Sequence, residues 1–242
     1  VKEFLAQMTD EEVAHLLGGQ PNTGVANTFG WGNMPEYGIP NCMTADGPAG
    51  LRIAPECGVT TTAWPCATLL AATWNPNVVY QVGAAGGKEV KENNIAAWLT
   101  PALNIHRSPL CGRNFEYYSE DPLLAGVLAG AMVKGIQSQG VAATVKHFAL
   151  NNKETDRKHS DSRVSERAAR EIYLKAFEYV IKGAKPWAVM SSYNIINGCY
   201  ASENKELLED ILRDEWGFDG MVTTDWWTLG EHYKLSLIHI SE

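Results

Sequence analysis

Short apolar segments alternate with amphipathic helical patterns along this chain, and each such segment closes on a polar or ionisable side chain. The segments run from Ile39 to Ala45, Ala96 to Ile105, Val141 to Leu150, Trp187 to Tyr193 and Gly220 to Asp225. At their ends stand Asp46, His106, Lys146 with His147, Tyr193 with Asn194, and Asp225. Strand and helix in alternation predict a parallel sheet covered by helices. In a (β/α)8 barrel the carboxyl ends of the strands converge on one face, and that face carries the site. The polar loading of these strand ends therefore favours an α/β fold of the TIM-like (β/α)8 barrel kind. The competing doubly wound sheet needs a Gly-rich phosphate turn directly after a strand. The one candidate, Gly83-Ala84-Ala85-Gly86-Gly87, lies inside a helical pattern instead.

Between the strands, Ala169, Ile172, Tyr173, Ala176, Phe177, Val180 and Ile181 step by three or four from Glu166 onward and form one buried stripe. Leu207, Leu208, Ile211, Leu212 and Trp216 repeat the pattern from Ser202 onward, and Gly217 stops it. A weaker helix is predicted near Val78 to Val90. Thr9-Asp10-Glu11-Glu12 is a capping-box signal for a helix near the start. Residues 18–38, rich in Gly, Asn, Pro and Trp, read as a long loop. No internal repeat, low-complexity tract or linker interrupts the 242 residues.

Charge and cysteine usage narrow the function classes. With 20 Lys and Arg against 28 Asp and Glu, the net charge of −8 argues against a nucleic-acid partner. No apolar run reaches the ~18 residues of a membrane span, so no membrane partner is expected. Cys42, Cys57, Cys66, Cys111 and Cys199 are odd in number and contain no C-x-x-C pair, which argues against a disulfide framework. Isolated thiols favour a reducing, cytoplasmic compartment. The chain begins at Val1 without Met and so reads as lacking its start, which leaves a leader peptide open. His106, His147 and His159 lack zinc-type spacing and no metal is expected. The Gly-x-Ser-x-Gly elbow of serine hydrolases is missing.

Asp225 is the leading nucleophile candidate. It follows the β-branched run Met221-Val222-Thr223-Thr224 and precedes Trp226-Trp227, so a strand end and two indoles would orient it and shield it from water. Those are the needs of a carboxylate that attacks a sugar's anomeric carbon. The same position also suits a helix N-cap. Lys146 and His147 offer adjacent donors for hydroxyls or an anion, or else a solvated lysine beside a packed histidine. Arg113 suits a carboxylate or vicinal hydroxyls, or pairs with Glu116 or Glu120 to pin its own loop. Asp46-Gly47-Pro48 reads as a turn unless Asp46 shares the proposed face.

Read together, these motifs resemble a known family. Asp46-Gly47-Pro48-Ala49-Gly50-Leu51-Arg52, Asn104-Ile105-His106-Arg107-Ser108-Pro109 through Gly112-Arg113-Asn114-Phe115-Glu116, Lys146-His147-Phe148-Ala149-Leu150-Asn151-Asn152, Met190-Ser191-Ser192-Tyr193-Asn194, and Gly217-Phe218-Asp219-Gly220 through Thr224-Asp225-Trp226 resemble glycoside hydrolase family 3, its β-glucosidase branch. The resemblance runs from about Phe4 to Lys234. It implies hydrolysis of terminal non-reducing β-D-glucosyl residues with retention, through a covalent glycosyl-enzyme intermediate and without a cofactor. It implies Asp225 as catalytic nucleophile, Asp46 as the acid holding hydroxyls at the far side of the ring, and Arg52, Arg113, Lys146 and His147 as further sugar-binding residues. Tyr193 matches the tyrosine beside the nucleophile and Trp226 an aromatic wall. The implied partners are small β-glucosides or oligosaccharides. A β-xylosidase of the same family and a non-catalytic carbohydrate-binding fragment are the alternatives.

A retaining hydrolase needs two carboxyl groups ~5–5.5 Å apart, and only one strong candidate stands here. The resemblance implies that the acid/base is a Glu on a second α/β sandwich domain, C-terminal to the barrel and beyond these residues. The local alternatives are Glu154, Asp156, Asp161 and Glu166. His159-Ser160-Asp161 is similar to the His–Asp pair of the related N-acetylglucosaminidases. However, Ala149-Leu150-Asn151-Asn152 stands where that branch has a Pro-Gly-His-Gly-Asp run, so the loop is read as structural. The expected organisation is a partial barrel domain over residues 1–234, incomplete at its C-terminus and inactive in isolation. Residues 235–242 are read as a foreign tail that resembles a translated sequencing adapter.

Overall fold

The computed structural model describes residues 2–231; the tail read as foreign lies outside them. Two short helices open the chain, α1 (Lys2–Leu5) and α2 (Asp10–Leu16). Thr9 caps α2 as its spacing predicts: its Oγ1 accepts from the Glu12 N–H at 3.3 Å, and its own N–H donates to Glu12 Oε2 at 2.8 Å. Then follow β1 (Gly30–Met34), β2 (Ile39–Ala45), α3 (Ala67–Ala72), α4 (Pro76–Glu92), β3 (Ala97–Trp98), α5 (Pro122–Gln137) and β4 (Ala142–Phe148). The remainder comprises β5 (Asp161–Ser162), α6 (Glu166–Ala168), α7 (Lys175–Ala184), β6 (Ala188–Ser191), β7 (Ile195–Ile196), β8 (Cys199–Tyr200) and β9 (Met221–Thr223). A π-helical turn, Ala169–Tyr173, joins α6 to α7, and a π-helical segment, Glu206–Glu215, precedes β9.

The main sheet has the order β1-β2-β3-β4-β6-β9. β1 and β2 are antiparallel, and every later neighbour pair is parallel. Strand follows strand in chain order, without the reversal that a doubly wound sheet carries. This one-way β/α progression is the winding a barrel requires. A smaller sheet, β5-β7-β8, ties the loop after β4 to the hairpin after β6. The core lies between the main sheet and its helices. There Phe148 of β4 meets Phe177 of α7 and Trp216 edge-on, with ring centroids 5.1 and 5.8 Å apart, a geometry aromatic quadrupoles favour.

Several predicted boundaries shift. β1 falls within the stretch read as a loop, where Gly30, Gly32 and Asn33 hide the strand signal. The Ala96–Ile105 segment is a strand only at Ala97–Trp98. Beyond it Pro101 has no N–H to give, and pairing with β4 continues irregularly through Thr144 N–H to Thr100 O at 3.1 Å and Lys146 N–H to Pro101 O at 3.0 Å. The helix predicted from Ser202 begins at Glu206, after a single tight turn at Ala201–Glu203. α5 carries no amphipathic stripe because it is apolar nearly all round and sandwiched between α4 and α7.

The Gly-rich run that failed as a phosphate turn has a packing role. Gly83 lies mid-way along α4 where a Cβ would come within 2.6 Å of the Met132 carbonyl oxygen of α5. The contact is mutual: a Cβ on Gly135 would sit 2.3 Å from the Tyr80 oxygen and 2.8 Å from the Ala84 nitrogen. Backbone cannot yield as a flexible side chain can. Gly135→Ala is therefore expected to lower the free energy of urea unfolding by about 1–3 kcal/mol. Gly183→Ala in α7, with nothing within 4 Å of the new methyl, is expected to be neutral or to stabilise by up to about 1 kcal/mol.

Candidate active site

The polar residues at the strand ends come together. Asp46 directly follows β2, Lys146 and His147 lie in the last turn of β4, and Tyr193 and Asp225 each stand two residues beyond β6 and β9. All of them, with Arg52, Arg113 and Trp226, line one cleft of about 590 Å³, a size suited to a small organic ligand. Asn194 and His106 are the exceptions among the strand ends: buried Asn194 donates to the Ala149 oxygen at 3.2 Å, and backbone oxygens hold His106. Its Nε2 lies 2.9 Å from the Asn114 oxygen and 3.0 Å from the Tyr117 oxygen, so it pins the loop that carries Arg113.

Lys146 brings an ammonium to the cleft floor with only 3% of its side chain exposed. Its Nζ donates to Asp46 Oδ1 at 2.7 Å, and Arg52 Nη1 donates to Asp46 Oδ2 at 3.3 Å. Burial alone would push the Asp46 carboxyl up. Lys146, the Gly47 N–H and Arg52 outweigh it and hold the carboxyl at about 2. Asp46 is thus a fixed anion that keeps acceptor capacity toward the cleft.

The second carboxylate behaves in the opposite way. Burial raises the Asp225 carboxyl above its ordinary value, and Lys146, Arg113, the Tyr193 hydroxyl and Arg157 only partly offset this. The cationic neighbours thus do not win outright. The Tyr193 hydroxyl donates to the Trp226 carbonyl at 2.5 Å and is one of the groups that hold the Asp225 carboxyl down. Its phenol is pushed up by burial and by the Asp225 charge. His147 Nε2 stands 3.8 Å from Asp225 Oδ2, beyond hydrogen-bond reach. Burial drives the imidazole well below its usual value, and Arg113, Lys146 and Arg157 add to it, so His147 is neutral. Asn104 fixes its backbone from both sides, accepting from the His147 N–H and donating to the His147 oxygen, each at 2.9 Å.

Of the two roles the sequence leaves open for Arg113, the structure shows the pairing that pins its own loop and leaves the side chain at the cleft. Arg113 pairs closely with buried Glu116, and it also lines the cleft. Burial opposes its charge, but Glu116, with Tyr117, Glu154 and Asp225, more than offsets it and keeps the guanidinium protonated. The acids of the following loop are engaged elsewhere. Glu154 binds Arg157 at 3.1 Å, Asp156 binds His159 at 2.8 Å, Asp161 binds Arg163 at 2.7 Å and Glu166 binds Arg170 at 3.0 Å. His159 and Asp161 do not form a pair with one another, and none of these acids lines the cleft.

Other lining residues escape a sequence reading. Asn22, Asn27, Thr28 and Phe29 come from the stretch before β1, and Leu99 and Arg157 also line the cleft, while Trp227, read in the sequence as one of two indoles beside Asp225, lines it as expected. Asn27 Oδ1 accepts from the Asp46 N–H at 3.1 Å. Exposed Trp227 meets Phe29 edge-on at 6.3 Å, forming the rim. Arg157 gives one sequence signal, its spacing of three from Glu154. The assembled site presents fixed donors, fixed acceptors, a neutral imidazole and indoles around a single raised-pKa carboxyl. Such a set suits an uncharged, polyhydroxylated ring.

Comparison with known proteins agrees with this chemistry. Residues 33–237 match the model of the glycosyl hydrolase family 3 N terminal domain. Beta-glucosidase A of Butyrivibrio fibrisolvens is 67% identical over 97% of this chain and 28% of its own length. An exo-α-(1→6)-L-arabinopyranosidase of Bifidobacterium longum is 50% identical over 90% of this chain and 29% of its own. The structure of beta-glucosidase 3B from Thermotoga neapolitana in complex with glucose superposes with a TM-score of 0.92 at 46% identity, covering 98% of this chain and 35% of that one. The chain thus spans under a third of the length of these curated relatives.

The Asp46–Lys146 pair makes a checkable prediction. Its folded value of about 2 lies below the ordinary 3.8, so its stabilisation is full above that ordinary value and fades as pH falls through 3.8 toward about 2. Asp46→Asn is expected to lower unfolding free energy at neutral pH by about 2–3 kcal/mol, because it strands a buried ammonium. Denaturant titrations across acidic pH should show the gap between wild type and variant closing over that window. A gap that stays constant would mean the pair carries no net stabilisation.

Proposed function

Because the chain belongs to glycosyl hydrolase family 3, we propose that it is the sugar-holding, nucleophile-bearing part of a retaining β-glucosidase. The observation that carries this reading is the shared cleft of Asp225 and the Asp46–Lys146–Arg52 cluster. One carboxyl is fixed as a hydroxyl acceptor, and the other is left without a dedicated counter-ion. In this reading the one-way β/α sheet is part of an eight-stranded barrel.

The chemistry follows from the charges. Asp46, Arg52 and Lys146 grip hydroxyls of a terminal β-D-glucosyl residue, with His147 and Arg113 bonding others and Trp226 walling the ring. That grip holds the anomeric carbon against Asp225, so that attack is effectively unimolecular. An Asp225 oxygen bonds to the anomeric carbon as the bond to the leaving oxygen breaks. The leaving oxygen takes a proton from an acid. Water, deprotonated by the same group, then releases the sugar with its configuration retained. None of the nearby acids lines the cleft, so we assign the acid/base to a Glu on an α/β sandwich domain of the longer protein. Desolvation suits Asp225 to its task, because a carboxylate held above its ordinary pKa is more basic and less tied down by solvent.

A second reading takes a pentopyranosyl unit. The observation behind it is the 50% identity to the arabinopyranosidase. A β-xyloside is the other pentose to compare. Side-by-side kcat/KM values on glucoside, xyloside and α-L-arabinopyranoside decide between them, and a higher value on a pentoside would displace the glucoside.

Incubation of the full-length protein with a 2-deoxy-2-fluoro-β-glucoside is expected to place the label on the peptide holding Asp225, as read by mass spectrometry. A label on any other carboxylate would overturn the assignment. Asp225→Asn is expected to abolish turnover while retaining glucose binding. Since burial raises this carboxyl, its charge opposes folding at neutral pH, and the opposition eases as pH falls. The same variant should therefore raise the melting temperature modestly, by roughly 1 kcal/mol of stability. The isolated 242-residue chain is expected to hydrolyse aryl glucosides at background rate.

A further inference from the structure

Two adjacent cations from the loop after β4 sit against one ring. Arg157 Cζ lies 4.5 Å and Lys158 Nζ 5.1 Å from the centroid of Tyr193, within the range at which a π face attracts a cation. Arg157 is itself held. Its Nη1 donates to Glu154 Oε2 at 3.1 Å, and Glu154 Oε1 accepts from Asn151 Nδ2 at 3.1 Å. Asn151 is buried against Tyr117. Lys158 Nζ donates to the Trp227 carbonyl at 2.8 Å. The two loops are also sewn together by the Ile195 N–H to Ser160 O bond at 2.9 Å and the β5–β7 pairing. A continuous chain of contacts thus runs from Asn151 through Glu154 and Arg157 to Tyr193, which lines the same cleft as Asp225 and whose hydroxyl is held on the Trp226 carbonyl.

We propose that Arg157 is a positioning residue for the attack step, clamping the Tyr193 ring so that its hydroxyl stays on the Trp226 carbonyl, next to Asp225 in the same cleft. This rests on the reading of Asp225 as nucleophile. The Tyr193 hydroxyl has one proton, which it gives to the Trp226 carbonyl at 2.5 Å, so ring placement sets where that hydroxyl stands beside Asp225, the carboxyl it helps hold down. A guanidinium suits the clamp because a planar cation can stack on a ring while one of its N–H groups bonds a carboxylate, as Nη1 does to Glu154; an ammonium supplies the charge without the plane. The charged and titratable groups facing Asp225 are Lys146 and His147 from β4, Arg113 from the loop before α5, Tyr193 from beyond β6, and Arg157. Arg157 is one of the charges that hold the Asp225 carboxyl down, so its loss also raises that group.

The test uses the full-length protein and 2,4-dinitrophenyl β-D-glucoside, whose leaving group departs without a proton and so isolates attack from acid assistance. Arg157→Met is expected to lower kcat/KM roughly tenfold and to move the acid limb of its pH profile up by roughly half a pH unit. Inhibition by free glucose is expected to change less than about twofold, since the clamp serves attack and not ground-state binding. Arg157→Lys should keep the limb near its wild-type position and recover part of the rate. Glu154→Gln should shift in the direction of the Met variant, by less. An unmoved acid limb in Arg157→Met overturns the proposal. So does a loss of glucose binding in proportion to kcat/KM, which would make Arg157 a sugar contact. Should Arg157→Met fail to fold by circular dichroism, wild-type profiles in both other variants overturn it equally. Asp225→Asn separates the two readings. Turnover that survives there refutes the nucleophile, whereas lost turnover there with an unmoved limb in Arg157→Met refutes only the clamp.

Discussion

The cleft depends on one ammonium group placed where water hardly reaches. Lys146 reaches the site from the end of β4 and is met by an acid a hundred residues earlier in the chain, at the end of β2. Removing an ion from water costs several kcal/mol unless partners replace the solvent, so the strands that carry Lys146 and Asp46 must hold a fixed distance. β3 lies between them in the sheet, and the pair therefore spans a neighbouring strand. The same charge pulls on Asp225. One lysine thus fixes the spacing of the strand ends and sets the electrostatic background for the second carboxyl.

Much of this was legible in the sequence because strands announce themselves at both ends. Ile39–Ala45 is bounded as the apolar run and the Asp46-Gly47-Pro48 turn predict, and the polar strand ends reach one cleft because parallel winding leaves them nowhere else to go. The unread parts share a physical cause. α5 is buried on both sides, so no polar face marks its period. β1 consists largely of residues that favour turns, and it forms because β2 offers it a partner. Asn22, Asn27, Phe29 and Arg157 belong to irregular stretches, whose positions are set by tertiary contacts and carry no period. His106 ends an apolar segment like the others, yet backbone oxygens of the neighbouring loop claim its ring.

The two cleft carboxyls show how one environment yields two behaviours. Asp46 has two cations in contact and stays ionised under all ordinary conditions. Asp225 is more deeply buried, with its nearest imidazole neutral and 3.8 Å away, and desolvation prevails. Environments that push two titratable groups apart are a recurring feature of catalytic sites. Here the separation needs no unusual residue, only unequal access to Lys146, Arg52 and water. Instability is therefore concentrated at the carboxyl that the proposed chemistry uses.

The aromatic rim has a further meaning. Phe29 directly precedes β1 and Trp227 follows β9, which are the two outermost strands of the main sheet. Their edge-on contact is a clasp between the sheet's opposite margins, made by two side chains and no backbone. The aperture of the cleft is therefore tied to the curvature of the entire sheet. A bulky guest that parts the two rings undoes this clasp, so admission by size depends on how firmly the two margins hold together as well as on the shape of the doorway.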